Sequence, residues 1–530
     1  MSGRPKILLS KNLRNSGDQV SYSEFIKMTT TKKPKKILIV GGGTAGWMAA
    51  NLLAVRWPDV DVCLLESHEI GIIGVGEGTT PHLKFFFDEI GLDESEWMPR
   101  CNATYKNGIT FANWSSIAGF ESYFHPFPAQ TDDIFTVPKF LGSVNARMQG
   151  HNVDAHPDQF FLETYLTQKN LGPIPADTFP FGVAYGYHFD STLLGQYLAE
   201  KAIARGVKRV FGTAAEVLHN SNGELKSVRL DDDSFIEADF FIDCSGFKSM
   251  LSQVALKTPY KSFKENLFNN AAVVMPSPIS KVVPPETRST ALSNGWAWKI
   301  PLTNRFGNGY VYSSDYITPE QAELELRQHL NLLDSDVEAR HLKMTVGRVE
   351  KHWNRNCLAV GLSQGFIEPL EATALALSFN TISFFIKYYE QGSYSNLLED
   401  AFNKDINARF DGVRDYIVCH YKVNQRLDTD YWRANSANPY ISDSLNKVLQ
   451  FWWESKDFSR DMHAHNLVGS YQPKSWACLL AGYGVFSKLK SDDTMLFEQQ
   501  KNGLKEINEF IRKCGLNFKE HNELLASLHT

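Results

Sequence analysis

The alternation of apolar and polar positions divides the chain into short strands and helices over its first part and mainly helices over its last part. Ile37-Leu38-Ile39-Val40 is a short, wholly apolar run, the mark of a strand covered on both faces. It enters Gly41-Gly42-Gly43-Thr44-Ala45-Gly46, and Trp47-Met48-Ala49-Ala50 continues as a helix. A second strand, Val60-Asp61-Val62-Cys63-Leu64-Leu65, closes on Glu66. A helical pattern over 83–90 stops at Gly91, and another helix is expected over 191–205. Short strands follow over 207–242, with hairpin turns at 220–223 and 231–233. A strand-rich stretch covers about 268–313, and the apolar run 357–361 leads into a helix from about Ala372. Beyond 385 the pattern is mainly helical and rich in aromatics. Residues 114–180, with weak periodicity, are expected as long loops and short helices inserted between sheet elements. This order of elements predicts an α/β protein.

The first turn carries chemistry. Gly41 permits a tight turn, Gly43 lets the backbone approach a pyrophosphate, and Gly46 lets the helix pack close to the sheet. Thr44 and Ala45 complete the turn, and the helix N-terminus faces the phosphates. Glu66 lies 20 residues past Gly46, placed to accept the ribose hydroxyls of an adenosine. The glycine-rich loop that follows, with Gly76 and Glu77, suits backbone contacts to a ligand. The strand ending in Asp243-Cys244-Ser245-Gly246 closes on a small-residue turn, as strands that return to the dinucleotide do in large flavoproteins. Only one such fingerprint is present, so the chain reads as an FAD protein that recruits a nicotinamide transiently or receives reduced flavin from elsewhere.

Composition narrows the setting. A chain of 530 residues has room for two or three domains, and a net charge of −6 gives no pull toward nucleic acid. No apolar run is long enough to span a bilayer, and no secretory signal opens the chain. The seven cysteines lie far apart without a CxxC, which fits reduced thiols in a cytoplasmic protein and no metal site. His463 and His465 are expected on a solvated loop. Residues 1–35 are basic and aperiodic, expected as a disordered tail, or as lying partly ahead of a translation start at Met28. Residues 36–385 are expected to form the FAD-binding module with interleaved substrate-binding elements. Residues 386–530 are expected as a mainly helical subdomain that completes the substrate site.

Three segments together resemble the flavin-dependent halogenases of the tryptophan-halogenase-like branch. They are residues 41–50, Gly295-Trp296-Ala297-Trp298-Lys299-Ile300-Pro301, and Phe366-Ile367-Glu368-Pro369-Leu370-Glu371-Ala372-Thr373. Glu96-Trp97-Met98-Pro99, Tyr187-His188-Phe189-Asp190 and Asp243-Cys244-Ser245-Gly246 extend the match over about 36–485. The resemblance implies an FAD-binding Rossmann-like fold of glutathione-reductase type, with an inserted substrate-binding sheet and a helical C-terminal subdomain. Gly41, Gly43, Thr44, Ala45, Gly46, Glu66, Gly76, Glu77, Asp243 and Gly361 would hold the FAD.

In that family reduced FAD and oxygen turn a halide into hypohalous acid, which crosses a tunnel to a lysine beside an aromatic substrate. The matching lysine is Lys106 and the matching carboxylate Glu371. An ammonium activates hypohalous acid by a charge-assisted hydrogen bond, or a neutral lysine, its pKa lowered by burial, becomes an N-haloamine; a carboxylate stabilises the ring cation and takes its proton. The halide amides match Thr373 and Ala374. The family commonly carries Ser-Thr-Gly where this chain has Ala372-Thr373-Ala374, which leaves halide preference open. Trp296, Trp298, Ile300 and Pro301 form the WxWxIP signature, thought to suppress monooxygenase chemistry. His125, Phe127, Glu368 and Tyr471 fall on substrate-binding positions. Residues 466–476 offer no acid for an ammonium, so free tryptophan is not the expected substrate. A small indole or phenol, a separate NAD(P)H-dependent flavin reductase and a homo-oligomer are the implied partners. A flavin monooxygenase and a non-catalytic FAD-binding protein are the competing readings.

Overall fold

The structure, a computed structural model, describes residues 33–68, 77–490 and 494–528. The expectations for residues 1–32 and for Gly76 lie outside the described residues.

Two large sheets organise the chain. The first has six strands in the order Trp353–Asn354, Cys357–Ala359, Phe240–Asp243, Lys36–Val40, Asp61–Glu66 and Lys208–Phe211. All neighbours run parallel except the first pair. The fingerprint strand Lys36–Val40 is therefore internal, which explains its continuous apolar run. The helix Thr44–Arg56 connects Lys36–Val40 to its parallel neighbour Asp61–Glu66, as a strand–helix–strand crossover does.

The second sheet has seven strands, in the order Arg340–Lys343, Ala271–Ser277, Phe306–Tyr312, Gly295–Pro301, Glu286–Leu292, Gly108–Ala112 and Ser122–Pro126. It is antiparallel but for the pair Glu286–Leu292 and Gly108–Ala112. A small antiparallel sheet, Glu77–Gly78, Gly186–Phe189 and Thr104–Lys106, places Lys106. The hairpin turns expected near 220–223 and 231–233 join Ala214–His219, Leu225–Leu230 and Phe235–Glu237.

Residues 114–180 are more regular than their weak periodicity suggested. They hold the strand Ser122–Pro126, the helices Val137–Met148 and Leu162–Gln168, and the strand Leu171–Pro175. Their apolar residues are buried against several elements at once, which blurs any single period. His463 closes the helix Phe458–Ala464 rather than lying on a loop, and its Nδ1 meets the Ser459 carbonyl at 2.8 Å.

Helices dominate after the strands, beginning with Ala374–Gln391, which runs across residue 385, and Glu399–Val423. One apolar core joins both halves, from Ile37 and Leu64 through Phe385 and Ile417 to Leu479. The strand Phe518–Glu520 returns to pair with Leu171–Pro175. All seven cysteines are free thiols, and no described helix is long and apolar enough to cross a membrane.

Candidate active site

The glycine turn divides into closed and open positions. A Cβ on Gly41, whose φ is +119°, would lie 2.1 Å from the Cys244 carbonyl oxygen, and one on Gly46 would lie 2.0 Å from the Gly41 oxygen. These two positions fasten turn to strand and helix to turn. A Cβ on Gly43 would meet nothing within 4 Å. That open edge, at the N-terminus of Thr44–Arg56, is where a pyrophosphate fits, so the turn suits a dinucleotide. Glu66 lies directly beneath Gly42 and is paired with Arg209, so its carboxylate is already oriented at the strand end.

Gly361 packs against the same helix: its Cβ would come within 2.7 Å of the Ala45 Cβ, and its φ is +67°. Glu77 is buried enough to push its carboxyl up to about 7. The Asp243 carboxylate is hydrogen-bonded within its own turn. One carboxylate oxygen accepts from the Ser245 amide and hydroxyl at 3.0 and 2.6 Å and from the Ser363 hydroxyl at 3.0 Å. The other accepts from the Leu251 and Ser252 amides at 2.9 and 2.8 Å. A carboxylate so engaged fixes the shape of the cradle.

Lys106 is fully buried, and its Nζ has no hydrogen-bond partner. Burial pushes the ammonium down to about 7, opposed by the attraction of Glu371. The Phe127 ring lies beneath it, with the Nζ 5.5 Å from the centroid. Glu371 is buried too, and one of its oxygens meets His420 Nε2 at 2.9 Å. His420 Nδ1 meets the Tyr483 hydroxyl at 2.7 Å. The structure thus aims Glu371 through a buried histidine and tyrosine, neither of which the sequence reading singled out.

Glu368 is held in a buried hydrogen-bond network. One of its oxygens accepts from the Trp296 indole at 3.2 Å and from the Tyr421 hydroxyl, and the other accepts from the Asn269 amide at 2.9 Å. Burial pushes this carboxyl up to about 7. Trp296, Trp298 and Ile300 share one face of the strand Gly295–Pro301 and enter the main core, while Ala297 enters another. A Cβ on Gly309 would lie 2.2 Å from the Trp298 ring, so that indole lies flat across the neighbouring strand.

A cage of aromatic groups feels the Glu371 charge. Tyr123, Tyr416, Tyr471 and Tyr483 are all pushed well up by burial, with Glu371 adding to the effect, so they stay neutral phenols. His125 is pushed down to about 4 by burial and is neutral. Its Nε2 meets the Ser475 hydroxyl at 3.1 Å, and Ser475 meets the Tyr416 hydroxyl at 2.9 Å. Tyr471 stacks on Tyr416 with centroids 3.6 Å apart, and its hydroxyl is buried without a partner. Trp476 closes against Tyr416 edge to face at 4.7 Å.

Thr373 caps the 18-residue helix Ala374–Gln391 with no side-chain hydrogen bond to the first turn. Ala372 sits at φ +53°, in the left-handed region that turns the chain sharply before the cap. The first amides of the helix are thus presented as an anion site, which suits a halide.

A nucleotide-type turn on a parallel sheet, with a buried amine and aromatic groups elsewhere in the same core, fits a flavoprotein enzyme. The family model described as tryptophan halogenase matches residues 36–496, and the chain belongs to that family of flavin-dependent halogenases. It is 33% identical over 491 residues to the 7-chloro-L-tryptophan 6-halogenase KtzR of Kutzneria sp. (strain 744), covering 87% of this chain and 93% of that one. It is 35% identical to the tryptophan 6-halogenase SttH of Streptomyces toxytricini, over 86% of this chain and 90% of that one. The solved structure of BrvH, a flavin-dependent halogenase from Brevundimonas sp. BAL3, superposes with a TM-score of 0.81 at 29% identity, covering 94% of this chain and all of that one.

Proposed function

We propose that this halogenase uses reduced FAD, oxygen and halide to place a halogen on a neutral, electron-rich aromatic such as an indole or phenol. The single observation that carries this reading is the buried Lys106 ammonium, unbonded and drawn toward Glu371. An ammonium without a partner donates its hydrogen bonds to what enters the site, and hypohalous acid needs such a donor to become a strong electrophile.

The fold in this reading is a glutathione-reductase-type FAD module. Gly43, Thr44, Ala45 and Gly46 hold the pyrophosphate, Glu66 the ribose, and Glu77 and Gly361 line the cradle. FAD, bound reduced, supplies with oxygen the oxidising power that turns halide into hypohalous acid. A separate NAD(P)H-dependent reductase delivers the reduced flavin, because the chain has a single nucleotide fingerprint. The amides of Thr373 and Ala374 hold the halide. Lys106 polarises the electrophile, Glu371 takes the ring proton, and His420 fixes the carboxylate.

The segment 386–530 completes the substrate site with Tyr416, Tyr471, Ser475 and Trp476, facing His125 and Phe127. The carboxylate whose charge reaches Tyr471 is Glu371, which is already bonded to His420; Glu368 is engaged elsewhere, and Asp133 is paired with Lys474, so a substrate ammonium there would have no carboxylate of its own. An unpaired buried charge is costly, so neutral aromatics are preferred to free tryptophan.

The test supplies the enzyme with FAD, NADH, a flavin reductase and chloride, bromide or iodide in turn, and offers a panel of indoles, phenols, anilines and tryptophan. Halogenated products with a higher kcat/KM for a neutral aromatic are expected. Hydroxylated products in place of halogenated ones would refute the reaction, and tryptophan as the best substrate would refute the substrate class.

A further inference from the structure

Lys106 shares one face of its small sheet with a buried hydrogen-bond chain that ends at the WxWxIP signature. In the register of that sheet Thr104 lies opposite His188, and Lys106 opposite Gly186. His188 is also opposite Gly78 on the other side. Side chains alternate along a strand, so Thr104, Lys106 and His188 project to the same face. The two glycines clear it. A Cβ on Gly186 would lie 2.4 Å from the Thr79 carbonyl oxygen and 3.1 Å from the Phe127 ring. A Cβ on Gly78 would lie 3.4 Å from Lys106 Nζ, 3.2 Å from the Thr287 hydroxyl oxygen and 3.5 Å from the His188 ring. Amine, hydroxyl and imidazole thus border one small space.

The directions of the hydrogen bonds follow from the donor count. The Thr104 hydroxyl donates to the Pro301 carbonyl at 2.8 Å and meets His188 Nδ1 at 3.0 Å. Its one hydrogen is committed to Pro301, so Nδ1 must be the donor. His188 is fully buried, and burial with the Lys106 charge pushes it well down, so the imidazole is neutral. Nε2 is then an acceptor, and the Thr287 hydroxyl, at 2.9 Å, donates to it. Thr287 consequently has only lone pairs to offer the space that it shares with Lys106.

We propose that His188 is a positioning residue for Lys106, acting through Thr287, whose oxygen it turns toward the ammonium. The inference rests on the halogen-transfer role of Lys106 given above. A neutral oxygen dipole facing the space of the amine, without bonding it, biases the ammonium without neutralising it and leaves its hydrogens for the incoming electrophile. The titratable groups acting on this pair are Glu371 on Lys106, and Lys106 and His521 on His188. His521 is itself neutral, pushed down to about 4 by burial.

The test compares Thr287→Val, Thr287→Ser and Lys106→Ala in the full enzyme with FAD, reductase and bromide. Three quantities are read: product formed per reduced flavin oxidised, hypobromous acid captured by an added scavenger, and the pH at which product formation falls on the basic side. Thr287→Val is expected to lose about tenfold in coupled product, the scale of one lost buried hydrogen bond. It should release more hypobromous acid and lose activity at lower pH, because the space beside the ammonium has lost the Thr287 oxygen dipole that His188 holds there. Thr287→Ser should restore all three. Unchanged coupling and an unchanged pH limb in Thr287→Val, or no recovery in Thr287→Ser, would overturn the inference. If Thr287→Val does not fold, His188→Gln, which keeps an acceptor for Thr287, should outperform His188→Met, and equal coupling in these two would overturn it. Coupled, selective bromination by Lys106→Ala would instead remove the underlying role of Lys106.

Discussion

Replacing Lys106 by Met should make the protein more stable as it abolishes halogen transfer. The ammonium is fully buried, bonded to nothing, and drawn from its ordinary 10.5 down to about 7. A displacement from 10.5 to 7 corresponds to roughly 5 kcal/mol of disfavoured charge. The sign follows from the two states. Below pH 7 both folded and unfolded chains carry the proton, and the folded state bears the full cost. Between pH 7 and 10.5 the folded state sheds the proton first and the cost shrinks; above 10.5 it vanishes. Met keeps the length and the packing of the lysine stem. Loss of the attraction to Glu371 leaves that carboxylate on His420, which takes back part of the gain. About 2–3 kcal/mol of stabilisation is therefore expected at pH 6.5, and about 1 kcal/mol or less at pH 9.5. Urea denaturation of the natural protein and of Lys106→Met at both pH values measures it. A Lys106→Met protein less stable than the natural one at pH 6.5, or a gain that does not depend on pH, would show that the lysine is not held as a strained charge.

Glu371→Gln should lower kcat/KM for halogenation by roughly 10²- to 10⁴-fold, the usual scale for one acid-base group, with flavin oxidation retained. Glu368→Gln keeps a hydrogen-bonding side chain in the Trp296–Tyr421–Asn269 network and should remain near the natural rate; the reverse ranking in steady-state kinetics would exchange the two roles. Gly43→Val should fold normally, since a Cβ there meets nothing within 4 Å, and yet lose FAD, as read by flavin fluorescence titration. Full flavin affinity in that variant would move the pyrophosphate elsewhere.

What was legible in the chain was local. The strand Lys36–Val40, the turn after it and the helix Thr44–Arg56 follow from an apolar run, glycines and a helical pattern within about twenty residues. The hairpins over 214–237 follow from their turn residues in the same way. The helix Pro319–Leu330 went unread although its signal is plain: Thr318 and Gln321 form a capping box, with Pro319 at the first position. The hydrogen bonding of Asp243 was not legible because its partners Leu251, Ser252 and Ser363 lie 8 to 120 residues away, and only the fold brings their donors to one carboxylate. His420 was overlooked for a related reason. It lies on the helix Glu399–Val423 in a continuously buried run from Val413 to Tyr421, where a polar group has the look of ordinary core. A surface helix keeps a polar stripe, and the loss of that stripe over two turns was the available sign that this segment lines an interior site.

The separation of two glutamates only three residues apart shows how the two signature motifs act together. Pro369–Glu371 forms a single tight turn, and Ala372 at φ +53° reverses the chain before the helix Ala374–Gln391 begins. Glu368 enters this turn extended, at φ −50° and ψ 160°, and its carboxylate binds the Trp296 indole on the second sheet. Glu371 leaves it with its carboxylate on His420. The turn is therefore pinned at one end to the WxWxIP strand and at the other to the helix Glu399–Val423, and the anion-ready amides of Thr373 and Ala374 follow at once. The same strand ends at Pro301, whose carbonyl anchors Thr104 and, through it, His188 beside Lys106. Trp296 and Pro301 thus fasten the carboxylate and the amine to one strand from opposite ends. On that geometry the signature strand sets the spacing between the proposed proton acceptor and the amine proposed to polarise the electrophile. A change at either end of the strand should misalign the pair even with both of its members intact.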